Sequence, residues 1–277
     1  MRESRALPDA YVISLARYAT LLKARDMRLT IAASTIGRLP IGITGLAILL
    51  LVQTATTSFA RGGAATACYV IGLAAVAPLL GRLIDRKGPR GALLACSVAF
   101  PAALVCLVAA VHADAHPLMI LALGAAAGAA FPPITVCMRT YFKQRLQDDT
   151  LLNTAYSLES VLIELIFIVG PMIVAFFVAA ASPAAAVLFA AATGSLGTLL
   201  FLRAPPLRAW RIARRTVSSL LGPLAQPGFP ALVAIVLCYS SAFGLLEIGI
   251  TAYATERGSP ALAGVLLGLM SAGSAIG

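Results

Sequence analysis

Four ionisable side chains lie inside long apolar stretches of this 277-residue chain: Arg38, Glu159, Glu164 and Glu247. A charge in such a setting is costly, and in a membrane it marks a substrate path, a proton relay or a structural ion pair. At 1.5 Å of rise per residue, Arg38 lies roughly 13 Å beyond Leu29 and Glu159 roughly 12 Å beyond Leu151, so their depths match. Glu164 follows five residues after Glu159, about 140° further around a helix and roughly 20 Å deep. It shares an i, i+3, i+7 stripe with Ser157 and Ser160, and no basic residue has a matching depth. That makes Glu164 a candidate proton carrier, with a carboxyl hydrogen-bonded to a neighbouring helix as the plainer reading. Glu247 comes late in its stretch, which suggests an outer vestibule or a coupling site. His112 and His116 flank Asp114 at a metal-like spacing, but such a short loop is more simply polar. No phosphate-cradling glycine loop, nucleotide motif or catalytic triad is present. The chain is therefore read as non-enzymatic, with no cofactor and no metal.

These residues need helices that cross a lipid bilayer. The chain is 60% apolar and only 12% charged, with a mean hydropathy of +0.93. A soluble domain carries about 25% charged residues. A bilayer-crossing helix needs about 20 apolar residues. Eight candidate spans meet or approach that length: 29–53, 63–81, 92–111, 117–138, 151–181, 184–202, 229–253 and 261–277. Breakers separate them, among them Arg61-Gly62-Gly63, Pro117, Ser182-Pro183, Pro205-Pro206 and Gly258-Ser259-Pro260. The five cysteines, Cys68, Cys96, Cys106, Cys137 and Cys238, all fall in apolar stretches and read as small core residues. Residues 1–28 scatter six basic residues and lack the compact apolar region of a cleavable signal peptide.

The net charge of +10 is explained by topology rather than by nucleic acid. Eighteen of the 21 Lys and Arg residues fall in the N-terminal tail and in the second, fourth and sixth loops, while the odd-numbered loops hold only Arg61 and Arg257. By the positive-inside rule the tail and even loops are cytoplasmic, in a multi-pass protein of the cell's inner (plasma) membrane. Residues 11–28, with Tyr11 and Tyr18, and 207–224, with Trp210, mix basic and apolar residues in the manner of helices lying on the inner leaflet.

The second loop reads Gly81-Arg-Leu-Ile-Asp85-Arg86-Lys-Gly88-Pro-Arg90, a turn of about ten residues between two spans. Its Gly-x-x-x-Asp-Arg-x-Gly-x-Arg order resembles the loop between the second and third helices of the major facilitator superfamily of secondary transporters. Pro89 stands where that family usually has a basic residue. Gly170-Pro171 is similar to the Gly-Pro of the superfamily's antiporter signature, although Ile166 and Val174-Ala175 replace its flanking small residues. The mid-membrane Arg that many drug–proton antiporters carry in the fourth span is missing from LALGAAAGAAFPP. The resemblance implies an all-α membrane bundle in which the first and fifth helices are neighbours. An Arg38–Glu159 ion pair is then the economical way to hold both charges, as a latch or as a substrate contact. It further implies alternating access, with Asp85 and Arg86 helping to close the cytoplasmic side and Gly81 and Gly88 allowing tight turning and packing. The implied activity is proton-driven efflux or uptake of a small organic solute across the lipid bilayer.

An internal repeat extends the resemblance. Arg61-Gly62, Gly72 and Gly81 recur 196 residues later as Arg257-Gly258, Gly268 and Gly277. This suggests an N-terminal segment (1–28), a six-helix half (29–202), a cytoplasmic linker (203–228) and the start of a second half (229–277). A full member would need about four more helices, so the chain is expected to be incomplete and not to transport by itself. Two further readings are an inactive or regulatory fragment and a polytopic membrane enzyme or lipid flippase; for the last no catalytic cluster is visible.

Overall fold

The computed structural model describes residues 15–204 and 228–276. It is 90% helical, with no strand among the described residues. Among the described residues eleven helices follow one another: α1 (Leu15–Lys23), α2 (Arg25–Arg38), α3 (Pro40–Thr56), α4 (Phe59–Lys87), α5 (Pro89–His112), α6 (Pro117–Ala129), α7 (Ile134–Arg145), α8 (Asp149–Ala180), α9 (Pro183–Arg203), α10 (Phe229–Glu256) and α11 (Ala261–Ile276). Seven helical segments are long and apolar enough to cross a membrane, and α11 is a shorter apolar helix. The expected spans are all present as helices. The part of the linker and the amphipathic segment that covers 205–227, and residues 1–14 with Tyr11, lie outside the described residues.

Two spans are not the single rods that the apolar runs suggest. The first span is α2 followed by α3, joined at Leu39 ahead of Pro40. The fourth is α6 followed by α7, separated by Ala130-Phe131-Pro132-Pro133. Proline lacks the N–H that a helix interior needs and restricts the residue before it. Two consecutive prolines therefore end one helix and start the next. The ten-residue loop expected at 82–91 is also corrected. Helix α4 runs on to Lys87, Gly88 (φ +80°) is the joint, and α5 starts at Pro89. Polar residues are compatible with a helix beyond the apolar region, and Arg86 and Lys87 at its last turn suit the helix dipole. Gly88 alone supplies the left-handed backbone that the corner requires. Gly81 has no atom within 4 Å of where a Cβ would stand, so the close packing expected there does not occur among the described residues.

The bundle closes where backbone meets backbone. A Cβ on Gly72 would collide with the Ala125 carbonyl, and one on Gly128 with the Tyr69 carbonyl. Gly124 faces the Ala65 carbonyl, 2.9 Å from its would-be Cβ, so three glycines knit α4 to α6. Gly37 and Gly197 bring α2 against α9, and Gly42 and Gly170 bring α3 against α8 in the same way. Small residues at such crossings let dispersion and close contact replace the hydrophobic effect, which lipid does not supply. On α11, Gly264 meets the Pro171 carbonyl and Gly268 meets Met172 of α8. Two apolar cores result. The larger gathers Ile43, Leu50, Phe100, Leu104 and Leu107. The second, at the end bearing most basic residues, gathers Leu21, Met27, Ile134, Phe142 and Phe201. Leu21 docks α1 on this second core.

Candidate functional site

Arg38 closes α2, and Glu159 lies one-third of the way along α8. The structure brings them together. Arg38 Nη1 donates to Glu159 Oε1 at 2.9 Å, and the side chains are only 1% and 2% exposed. Arg38 Nε also donates to the Ser34 carbonyl and Nη2 to Ser34 Oγ, each at 3.2 Å. Ser34 Oγ in turn donates to the Ile31 carbonyl at 2.7 Å. A guanidinium whose N–H groups are shared between a carboxylate and its own helix is well suited to burial.

A third member comes from α7. Arg139 Nε lies 3.4 Å from Glu159 Oε2, and Arg139 is 62% exposed. Glu159 Oε2 accepts no well-aligned hydrogen bond, so Arg139 contributes its charge more than a bond. Sequence reasoning placed Arg139 in the fourth loop. The missed signal is its place one turn past the Pro132-Pro133 break, which returns the chain to helix and points Arg139 at α8. One carboxylate thus faces two guanidinium groups, linking α2, α7 and α8 at the basic end.

Glu164 and Glu247 lie elsewhere, and together. Both line a cavity of about 470 Å³ bounded by α3, α4, α8, α10 and α11. Glu247 stands nine residues before the end of α10, about 13 Å inside it. It lies on the wall of this cavity. Tyr69, Phe167, Tyr239 and Phe243 also line this space, as do Thr66, Ser271 and Ser274. Among the described residues, no Lys, Arg or His lines it. Ser157 and Ser160 are not among its lining residues; Ser160 Oγ bonds back to the Tyr156 carbonyl at 3.2 Å. Pro171 reaches the cavity, while Gly170 is used for the α3–α8 crossing.

Asp85, Arg86 and Arg90 flank the Gly88 corner, at the ends of α4 and α5. His112 Nδ1 is 2.8 Å from the Val108 carbonyl, and His116 caps α6 by accepting from the Leu118 N–H. The described residues contain no group of three or more His, Cys, Asp or Glu able to hold a metal.

A bundle of long apolar helices, with buried charges at helix crossings and a largely apolar cavity bearing two carboxylates among five of its helices, defines a polytopic membrane transport protein. The family model described as Major Facilitator Superfamily matches residues 30–277, and the chain belongs to that family of membrane solute transporters. No curated protein and no solved structure matches the chain.

Proposed function

We propose that this chain supplies the substrate and proton path of a proton-coupled secondary transporter that moves a small organic solute by alternating access. The observation that carries this reading is the cavity shared by Glu164 and Glu247. Among the described residues, neither carboxylate has an ion-pair or side-chain hydrogen-bond partner. Carboxylates at membrane depth without a fixed cation are suited to take up and release a proton as access alternates. Glu164, on α8, carries the proton. The cavity's walls come from the six-helix half (α3, α4 and α8) and from the segment beyond it (α10 and α11), as a site between two moving halves requires.

The Arg38–Glu159–Arg139 cluster serves as a latch at the cytoplasmic side. Asp85, Arg86 and Arg90 hold the neighbouring corner. The basic end faces the cytoplasm in the plasma membrane, as the distribution of Lys and Arg favours. The test is Glu164→Gln, in proteoliposomes reconstituted with the transporter. Gradient-driven accumulation is expected to disappear while solute exchange without a gradient persists. Accumulation unchanged by the substitution would remove Glu164 as the carrier.

A further inference from the structure

Helix α10 presents Tyr239, Phe243 and Glu247 at intervals of four residues, which sets them in one row. All three line the cavity. The two rings lie 5.2 Å apart between centroids, tilted by 47°. Both are exposed, so their faces are not consumed by core packing. Phe167 of α8 and Tyr69 of α4 add further aromatic surface, and Glu164 adds the second carboxylate.

The electrostatic content of this wall is one-sided. Aromatic faces carry negative quadrupole density and attract cations. The carboxylates add formal negative charge, and among the described residues the lining supplies no basic side chain to offset it. An anionic solute would be repelled. A neutral solute would leave the Glu247 carboxylate without a counter-charge, so that it would have to take up a proton to be buried. A cation with apolar substituents meets both demands, and about 470 Å³ lies within the size range of small-molecule sites.

We propose that the cavity takes a lipophilic organic cation, a substituted ammonium or phosphonium, with Glu247 as its counter-charge and Tyr239 and Phe243 as its aromatic wall. This rests on the reading of the cavity as the transport site and divides its labour: Glu164 holds the proton and Glu247 faces the solute.

The experiment compares two near-isosteric probes of opposite charge, tetraphenylphosphonium and tetraphenylborate, by equilibrium dialysis against the purified 277-residue chain in detergent, with empty micelles as background. With each probe measured separately, saturable binding of tetraphenylphosphonium and none of tetraphenylborate is expected. Glu247→Gln should weaken it at least about tenfold, as loss of a buried counter-charge does. Tyr239→Ala and Phe243→Leu should each weaken it about two- to fivefold. Equal binding of the two probes, or Glu247→Gln binding that matches the unsubstituted chain, overturns the proposal. The probe comparison on the unsubstituted chain decides charge preference even where Glu247→Gln fails to fold. The two readings fail separately. Charge-blind binding with proton coupling intact at Glu164 refutes only the cation proposal. Cation-selective binding with coupling unaffected by Glu164→Gln refutes only the assignment of the proton.

Discussion

Removing Glu159 should damage this protein more than removing Arg38, although the two form one ion pair. With Glu159→Leu, the Arg38 guanidinium is left 1% exposed with only Ser34 as a polar partner. Stranding a buried charge costs about 3–5 kcal/mol. With Arg38→Met, Glu159 still has Arg139 within 3.4 Å, and Arg139 is exposed enough to move closer. The cost should then be about 1–3 kcal/mol, that of a buried polar group left short of a partner. The double variant, with both charges replaced by apolar side chains of similar volume, should lose about 1 kcal/mol or less. The cycle would therefore report a coupling of at least about 3 kcal/mol, at the upper end of the range for residues in contact. Arg139→Ala alone should cost about 0.2–1 kcal/mol, as exposed pairs do. Added to Arg38→Met it should cost clearly more. Unfolding in mixed micelles, followed by circular dichroism, supplies the four corners of the cycle. Additive losses would refute the pairing, and an Arg38→Met variant as unstable as Glu159→Leu would refute the supporting role of Arg139.

Other outcomes follow from the packing and the topology. Gly128→Ala should destabilise by about 1–3 kcal/mol, because its methyl would overlap the Tyr69 carbonyl, whereas Gly81→Ala, facing open space, should change the thermal midpoint little. Gly88→Ala, at φ +80°, should cost about 1–2 kcal/mol in the same assay. In a cysteine-free background, a cysteine at position 114 should react with an impermeant maleimide from outside the cell and one at position 148 only after permeabilisation. Labelling of position 114 from the cytoplasm alone would invert the proposed topology.

The helices were legible because lipid demands long uncharged runs and because Lys and Arg collect at one end of them. The contact between Arg38 and Glu159 was legible too, from equal depth combined with the helix neighbours that the family resemblance implied. Where the reading fell short, the cause is local backbone chemistry. Pro40 and Pro132-Pro133 divide spans that hydropathy treats as continuous. Charged residues 82–87 were assigned to a loop because charge was equated with the absence of helix, yet a helix can leave the membrane intact. Arg139 was lost to the same equation. That Glu164 and Glu247 line one cavity depends on how α8, α10 and α11 pack, which no single stretch of sequence encodes.

The ion pair joins residues 121 positions apart, and synthesis imposes an order on its partners. At ~5–20 residues per second, Arg38 is added to the growing chain about 6–24 s before Glu159. During that interval the first span must enter the bilayer with its arginine unmatched. An arginine at the centre of an inserting helix costs about 2.5–3.5 kcal/mol. The run Ile43-Thr44-Gly45-Leu46-Ala47-Ile48-Leu49-Leu50-Leu51-Val52 in α3 is what offsets it. The long side chain of Arg38 can also reach toward the headgroups in the meantime. The buried ion pair of the folded bundle thus begins as an unpaired arginine during synthesis. Variants that thin the apolar run of α3 should fail at insertion, before any contact with α8 can form.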